Sequence, residues 1–142
     1  MLIMHESGFK KEMIIDILSR FGIRPTAQRV KIAGVLLTKD QHLSADQVLA
    51  KVNNDKSTVS KATVYNTLNL FVRKGLLRQV IVESGKVFYD SNNSTHHHLY
   101  NEDTGELNDI NAGELTIENL PELPPGTIKS GIDVVIRIKN RG

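Results

Sequence analysis

The spacing of apolar residues changes once along this chain, at Gly75, and that change constrains the fold more than any other feature. Before Gly75 the apolar positions recur at helical spacing; after it they fall into short β-branched runs. Met13, Ile14, Ile17, Leu18 and Phe21 share one helical face, and Gly22 stops that helix. Thr26 caps a second helix with Val30, Ala33 and Leu37 as its inward stripe, widened by Ile32 and Leu36. Ser44 caps a third, ADQVLAKV, with Asp46 favourable in its first turn and Val48, Leu49 and Val52 turned inward. After a polar link, NDKSTVS, Ser60 or Lys61 begins a fourth helix whose Val64, Leu68 and Phe71 face the core. LLRQVIV (76–82) and KVFYD (86–90), joined by ESG, then read as a β-hairpin. Helices followed by a hairpin predict a winged helix-turn-helix, with a plain helical bundle as the alternative.

The fourth helix is then the reader. It presents Lys61, Thr63, Tyr65, Asn66 and Asn69 away from its apolar stripe. Thr and Asn can bond to base edges, and Tyr65 can meet a thymine methyl or a phosphate. Lys61 sits at the helix start, where backbone amides also favour phosphate. Charge supports this direction. Residues 1–90 hold 14 Lys/Arg against 8 Asp/Glu, whereas residues 91–142 hold 4 against 8. A basic front suits a polyanionic partner; two ordinary solvated surfaces are the bland alternative. The polar break SNNST (91–95) marks the expected boundary between domains at 1–90 and 91–142.

Cysteine is absent, which excludes disulfides, a Cys nucleophile, Cys-ligated zinc and iron–sulfur clusters. The N-terminus, MLIMHESGFKKEM, has no apolar core before a cleavage site, so no signal peptide is expected. No apolar run is long enough to span a membrane, and a cytoplasmic location is expected.

Histidine is concentrated instead. In THHHLY (95–100), a strand would turn His96 and His98 to one face and His97 to the other. Asp90 precedes them, Asp109 lies in the strand-like ELNDI, and His42 stands just before the third helix. Imidazole and carboxylate together suit iron(II), manganese(II) or zinc, and a polar loop is the alternative reading. A metal is not by itself catalysis. There is no HExxH, no nucleophile motif and no phosphate-cradling glycine loop, so a metal-dependent enzyme is the weakest of the readings.

GIRPTAQRVKI (22–32), QHLSADQV (41–48), KATVYNTLNLF (61–71) and FYD…HHHLY (88–100) together resemble the ferric uptake regulator family of bacterial metal-responsive repressors. ATVYNTLN, GLLRQV (75–80), STHHH (94–98) and the ending LPELPPG…IDVVIRIK (120–139) look most like its iron response regulators. The resemblance implies an α+β protein: an N-terminal winged helix, then a small α/β dimerisation domain with a shortened C-terminus. It implies a regulatory metal site at His42, Asp90, His96, His98 and Asp109. It implies haem binding at the His96–His98 run, a minor-groove role for Arg24, and a base-reading role for Tyr65. The implied partners are AT-rich operator DNA and a second copy of the chain. The implied task is control of haem-synthesis and iron-use genes, with peroxide or manganese sensing as the alternative within the family. The family's structural zinc is held by two CxxC pairs; Asn101 and Thr104 stand where the first pair would be, so that zinc has no ligands here.

In the rear half, HHLY, GELNDI and GIDVVIRIK read as strands, the last with Ile132, Val134, Ile136 and Ile138 on one face. Val135 on its other face predicts that both faces are partly covered, as dimerisation would do. LTIENL reads as strand or helical turn. The Pro-rich LPELPPGT is too short for a long helix.

Overall fold

The computed structural model describes residues 7–54, 58–91, 96–111 and 113–142. The middle of the polar link (55–57) and the break at 92–95 lie outside the described residues, as does the start of the N-terminus (1–6). The chain divides into two compact units, residues 1–93 and 94–142.

In the first unit, α1 (Ser7–Arg20), α2 (Ala27–Leu36), α3 (Ala45–Val52) and α4 (Lys61–Arg73) surround one apolar core. Each start has a local cause. The Thr26 hydroxyl accepts from the Arg29 N–H at 3.3 Å. Ser44 and Gln47 form a reciprocal capping box, with each side chain accepting the other residue's backbone N–H. Ser60 caps α4, so the fourth helix begins at Lys61. The stripe Val64, Leu68 and Phe71 is fully buried, and burial of such side chains stabilises by about 1.5–3 kcal/mol each. Gly22 and Gly75 take positive φ just beyond α1 and α4, where other residues would be strained.

The hairpin is β2 (Arg78–Glu83) with β3 (Lys86–Asp90). Its first strand starts later than the sequence pattern predicts, because Leu76 and Leu77 are still packed into the helical core. A third strand, β1 (His42–Ser44), is absent from the sequence reading. It pairs antiparallel with β3, giving the order β1-β3-β2. Three residues are too few to show a period.

The second unit is a sheet ordered β5-β4-β6, from β4 (His97–Asn101), β5 (Leu107–Ile110) and β6 (Val135–Ile138). β4 pairs antiparallel with β5 and parallel with β6. Its described residues include no helix. Those between β5 and β6 form no regular strand either, so LTIENL is neither strand nor helical turn. Pro121, Pro124 and Pro125 remove backbone donors from this stretch. The last strand is also shorter than GIDVVIRIK implies. Ile132, Val134 and Val135 are half-buried, while Ile136 and Ile138 are 39% and 41% exposed.

Candidate metal centre and nucleic-acid interface

In the first unit the pairing of β1 with β3 sets His42 opposite Asp90. Their side chains meet, Nε2 to Oδ2, at 3.2 Å. Asp90 is 1% exposed, and a carboxylate that dry requires polar partners. The approach to His42 is anchored by neighbours that the sequence reading passes over. Gln41 donates its side-chain amide to the Val35 and Leu36 carbonyls at 2.8 and 3.1 Å. The Ser91 hydroxyl accepts from the Gln41 N–H and donates to the Lys39 carbonyl. Gln41 and Ser91 flank His42 and Asp90 in sequence, and that adjacency is the only signal that could have found them.

In the second unit the β4–β5 register sets His98 opposite Asp109. One oxygen, Asp109 Oδ1, receives both His96 Nε2 at 3.1 Å and His98 Nε2 at 3.3 Å. The two rings lie 4.6 Å apart and tilted by 58°. The ligand atoms of these three residues lie within 4.8 Å of one another. His98 is buried, while Asp109 remains 43% exposed in its side chain. His97 stands apart from them: its Nδ1 accepts the Val134 N–H at 3.1 Å. The strand alternation expected from THHHLY is therefore present, with two imidazoles converging and the third turned away.

The donor chemistry of both groups fits a divalent ion. Each offers imidazole nitrogen and carboxylate oxygen, and neither contains a thiolate. Such ligands suit iron(II), manganese(II) and zinc.

On α4, Lys61, Tyr65, Asn66 and Asn69 are exposed, as the apolar stripe requires. Lys61 Nζ lies 5.8 Å from the Tyr65 ring centroid, within cation–π range, which holds the cation beside the phenol. Thr63 differs from the other reader candidates. It is half-buried, and its hydroxyl accepts from Ser60 Oγ at 2.8 Å, so it is engaged in the helix cap. Arg24 is exposed beside the buried Ile23, and its carbonyl accepts from both Thr26 and Arg29. The backbone under Arg24 is thus fixed while its side chain faces solvent. No helix among the described residues is long and apolar enough to cross a membrane.

Comparison with known proteins adds four findings. The profile of the ferric uptake regulator family matches residues 20–122. The ferric uptake regulation protein of Cupriavidus metallidurans is 36% identical over 95 residues, covering 66% of each chain. The peroxide-responsive repressor PerR of Staphylococcus aureus is 30% identical over 112 residues, covering 78% of this chain and 76% of that one. In fold, the chain is similar to the ferric uptake regulator of Pseudomonas aeruginosa solved with manganese. The TM-score is 0.66 at 21% identity, over 89% of this chain and 97% of that one.

Proposed function

The chain belongs to the ferric uptake regulator family of metal-responsive transcriptional regulators, and from that premise we propose that it is a cytoplasmic, DNA-binding repressor working as a homodimer. The observation that carries the metal reading is the convergence of His96 and His98 on one oxygen of Asp109. Two imidazole nitrogens and a carboxylate oxygen brought to one point offer a divalent ion three donors. A divalent ion would supply a positive charge for these donors. His96, His98 and Asp109 would hold it, with His42 and Asp90 as the further ligands that the family resemblance implies. Iron(II), manganese(II) and zinc all suit these donors, and geometry and metal availability decide among them.

The expected consequence is control of geometry. In a dimer, two α4 helices must fit DNA half-sites about one helical turn apart. Ligation by residues of both units would restrict their relative orientation and so the spacing of the readers. A full switch from 1:99 to 99:1 needs about 5.5 kcal/mol of differential affinity, which a five-ligand site can provide. Lys61, Tyr65, Asn66 and Arg24 supply the DNA contacts, and an AT-rich inverted repeat is the expected operator. Exposed Ile136 and Ile138 on β6, at the edge of its sheet, support association of two copies. Titrating manganese(II) into metal-free protein tests the ligand assignment. Wild type should bind one ion per chain, and His98→Ala should lose affinity at least tenfold while remaining dimeric. Equal affinities would overturn the assignment.

Two finer readings follow. Peroxide sensing is supported by the similarity to PerR and by the carboxylates at Asp90 and Asp109. It predicts one added oxygen on His42 or His96, by mass spectrometry, after the iron-loaded protein meets peroxide. The haem-responsive reading, shared with iron response regulators, draws on the HHH resemblance. The geometry favours a small ion over haem, since His97 faces away from the pair.

A further inference from the structure

We propose that His97 is a positioning residue, which aims the His96/His98 pair by clamping β6 against β4. The inference rests on the metal reading of His96, His98 and Asp109. Consecutive β4 residues take both backbone groups of Val134. The His98 N–H donates to the Val134 carbonyl at 3.1 Å. The Val134 N–H donates to His97 Nδ1 at 3.1 Å. Val134 stands one residue before β6, so the imidazole captures the donor where the parallel ladder opens. β6 is only four residues long, and its ladder is correspondingly weak without such an anchor. At the other end the ladder is closed by the Glu102 N–H on the Ile138 carbonyl at 2.8 Å.

The bond also fixes the chemistry of the ring. In a neutral imidazole whose Nδ1 accepts a hydrogen bond, the proton resides on Nε2. That tautomer has no lone pair left for a metal or for haem iron. His97 therefore holds the backbone while His98 in the strand, and His96 just before it, keep their Nε2 atoms at Asp109. Loss of an outer-shell group that orients ligands lowers metal affinity about 10–100-fold in known sites.

Asn can place an acceptor where Nδ1 lies, whereas Gln reaches further and Ala offers none. Manganese(II) affinity of the full-length protein should therefore stay within about twofold for His97→Asn. It should fall about tenfold for His97→Gln and His97→Ala. Long-range proton–nitrogen correlation spectra of the metal-free protein should show His97 as the Nε2–H tautomer. The Val134 amide should exchange faster in His97→Ala and not in His97→Asn. Equal manganese affinity in all three variants would overturn the role. So would an equal loss in all three together with a deprotonated Nε2 in the metal-bound protein, since His97 would then be a ligand. His98→Ala serves as the control: if it too leaves affinity unchanged, the metal reading itself has failed, and the positioning role falls with it.

Discussion

His42 and Asp90 face each other as register partners on neighbouring strands, 3.2 Å apart through Nε2 and Oδ2, although 47 residues separate them in sequence. A three-residue strand brings them together. Asp90 is almost fully dry, so removing the His42 imidazole beside it and removing its charge have different consequences. Asp90→Asn keeps the shape and should leave the protein folded while lowering manganese(II) affinity at least tenfold, as calorimetric titration would show. His42→Ala leaves a buried carboxylate short of a partner and should also lower thermal stability, by about 1–3 kcal/mol. A His42→Ala variant as stable as wild type would show that the pair has no structural weight.

Tyr65 and Lys61 make a separate prediction, because neither belongs to a metal-ligand group. Tyr65→Ala should weaken operator binding by about 1–3 kcal/mol with metal content unchanged. Lys61→Ala should weaken binding to all sequences alike and reduce the salt slope by about one. Fluorescence anisotropy across a salt series checks both. Binding by Tyr65→Ala as tight as wild type would remove this residue from the reader.

The cap of α4 matters for the same interface, since Ser60 orders the turn that carries Lys61 and Thr63. Ser60→Ala should cost about 1 kcal/mol of stability, read from urea unfolding. Thr63→Ala should act largely through that cap, lowering stability more than base preference. A change in base preference with unaltered stability would return Thr63 to the reader.

The turn after β4 is held by side-chain hydrogen bonds. Asn101 Oδ1 accepts the Asp103 and Thr104 N–H groups at 2.9 and 3.1 Å, and its amide donates to Asn140 Oδ1 at 2.8 Å. The Asn140 N–H donates to Asp103 Oδ2, also at 2.8 Å. Side-chain hydrogen bonds thus tie the segment beyond β6 to this turn. Asn101→Ala should destabilise the protein by about 1–3 kcal/mol, measured by thermal unfolding of the metal-free form. An unchanged midpoint would show that the tie is dispensable.

The helical part of this fold was legible because its signals are local. Thr26, Ser44 and Ser60 each cap the helix that the apolar stripe behind them implies. The convergence of His96 and His98 followed from strand alternation alone. What stayed hidden depended on pairing between distant segments. β1 is too short to carry a period, and neither Gln41 nor Ser91 has a pattern to mark it as support for His42. Hydrophobicity misled at the end of the chain. Ile132 and Val134 continue the apolar alternation of GIDVVIRIK, but strand pairing with β4 begins only at Val135.

The central claim is that metal occupancy controls DNA affinity through the histidine–aspartate groups. The most direct measurement is anisotropy of wild type and Asp109→Asn on an AT-rich inverted repeat selected from a random pool. It would be run at fixed salt in chelator, in manganese(II) and with haem. Wild-type affinity should rise at least tenfold with manganese(II), and Asp109→Asn should lose that response while retaining the weak binding seen in chelator. Wild-type binding that is equally tight in chelator and manganese(II) would contradict the claim, and tight binding abolished by haem alone would transfer control to the haem reading.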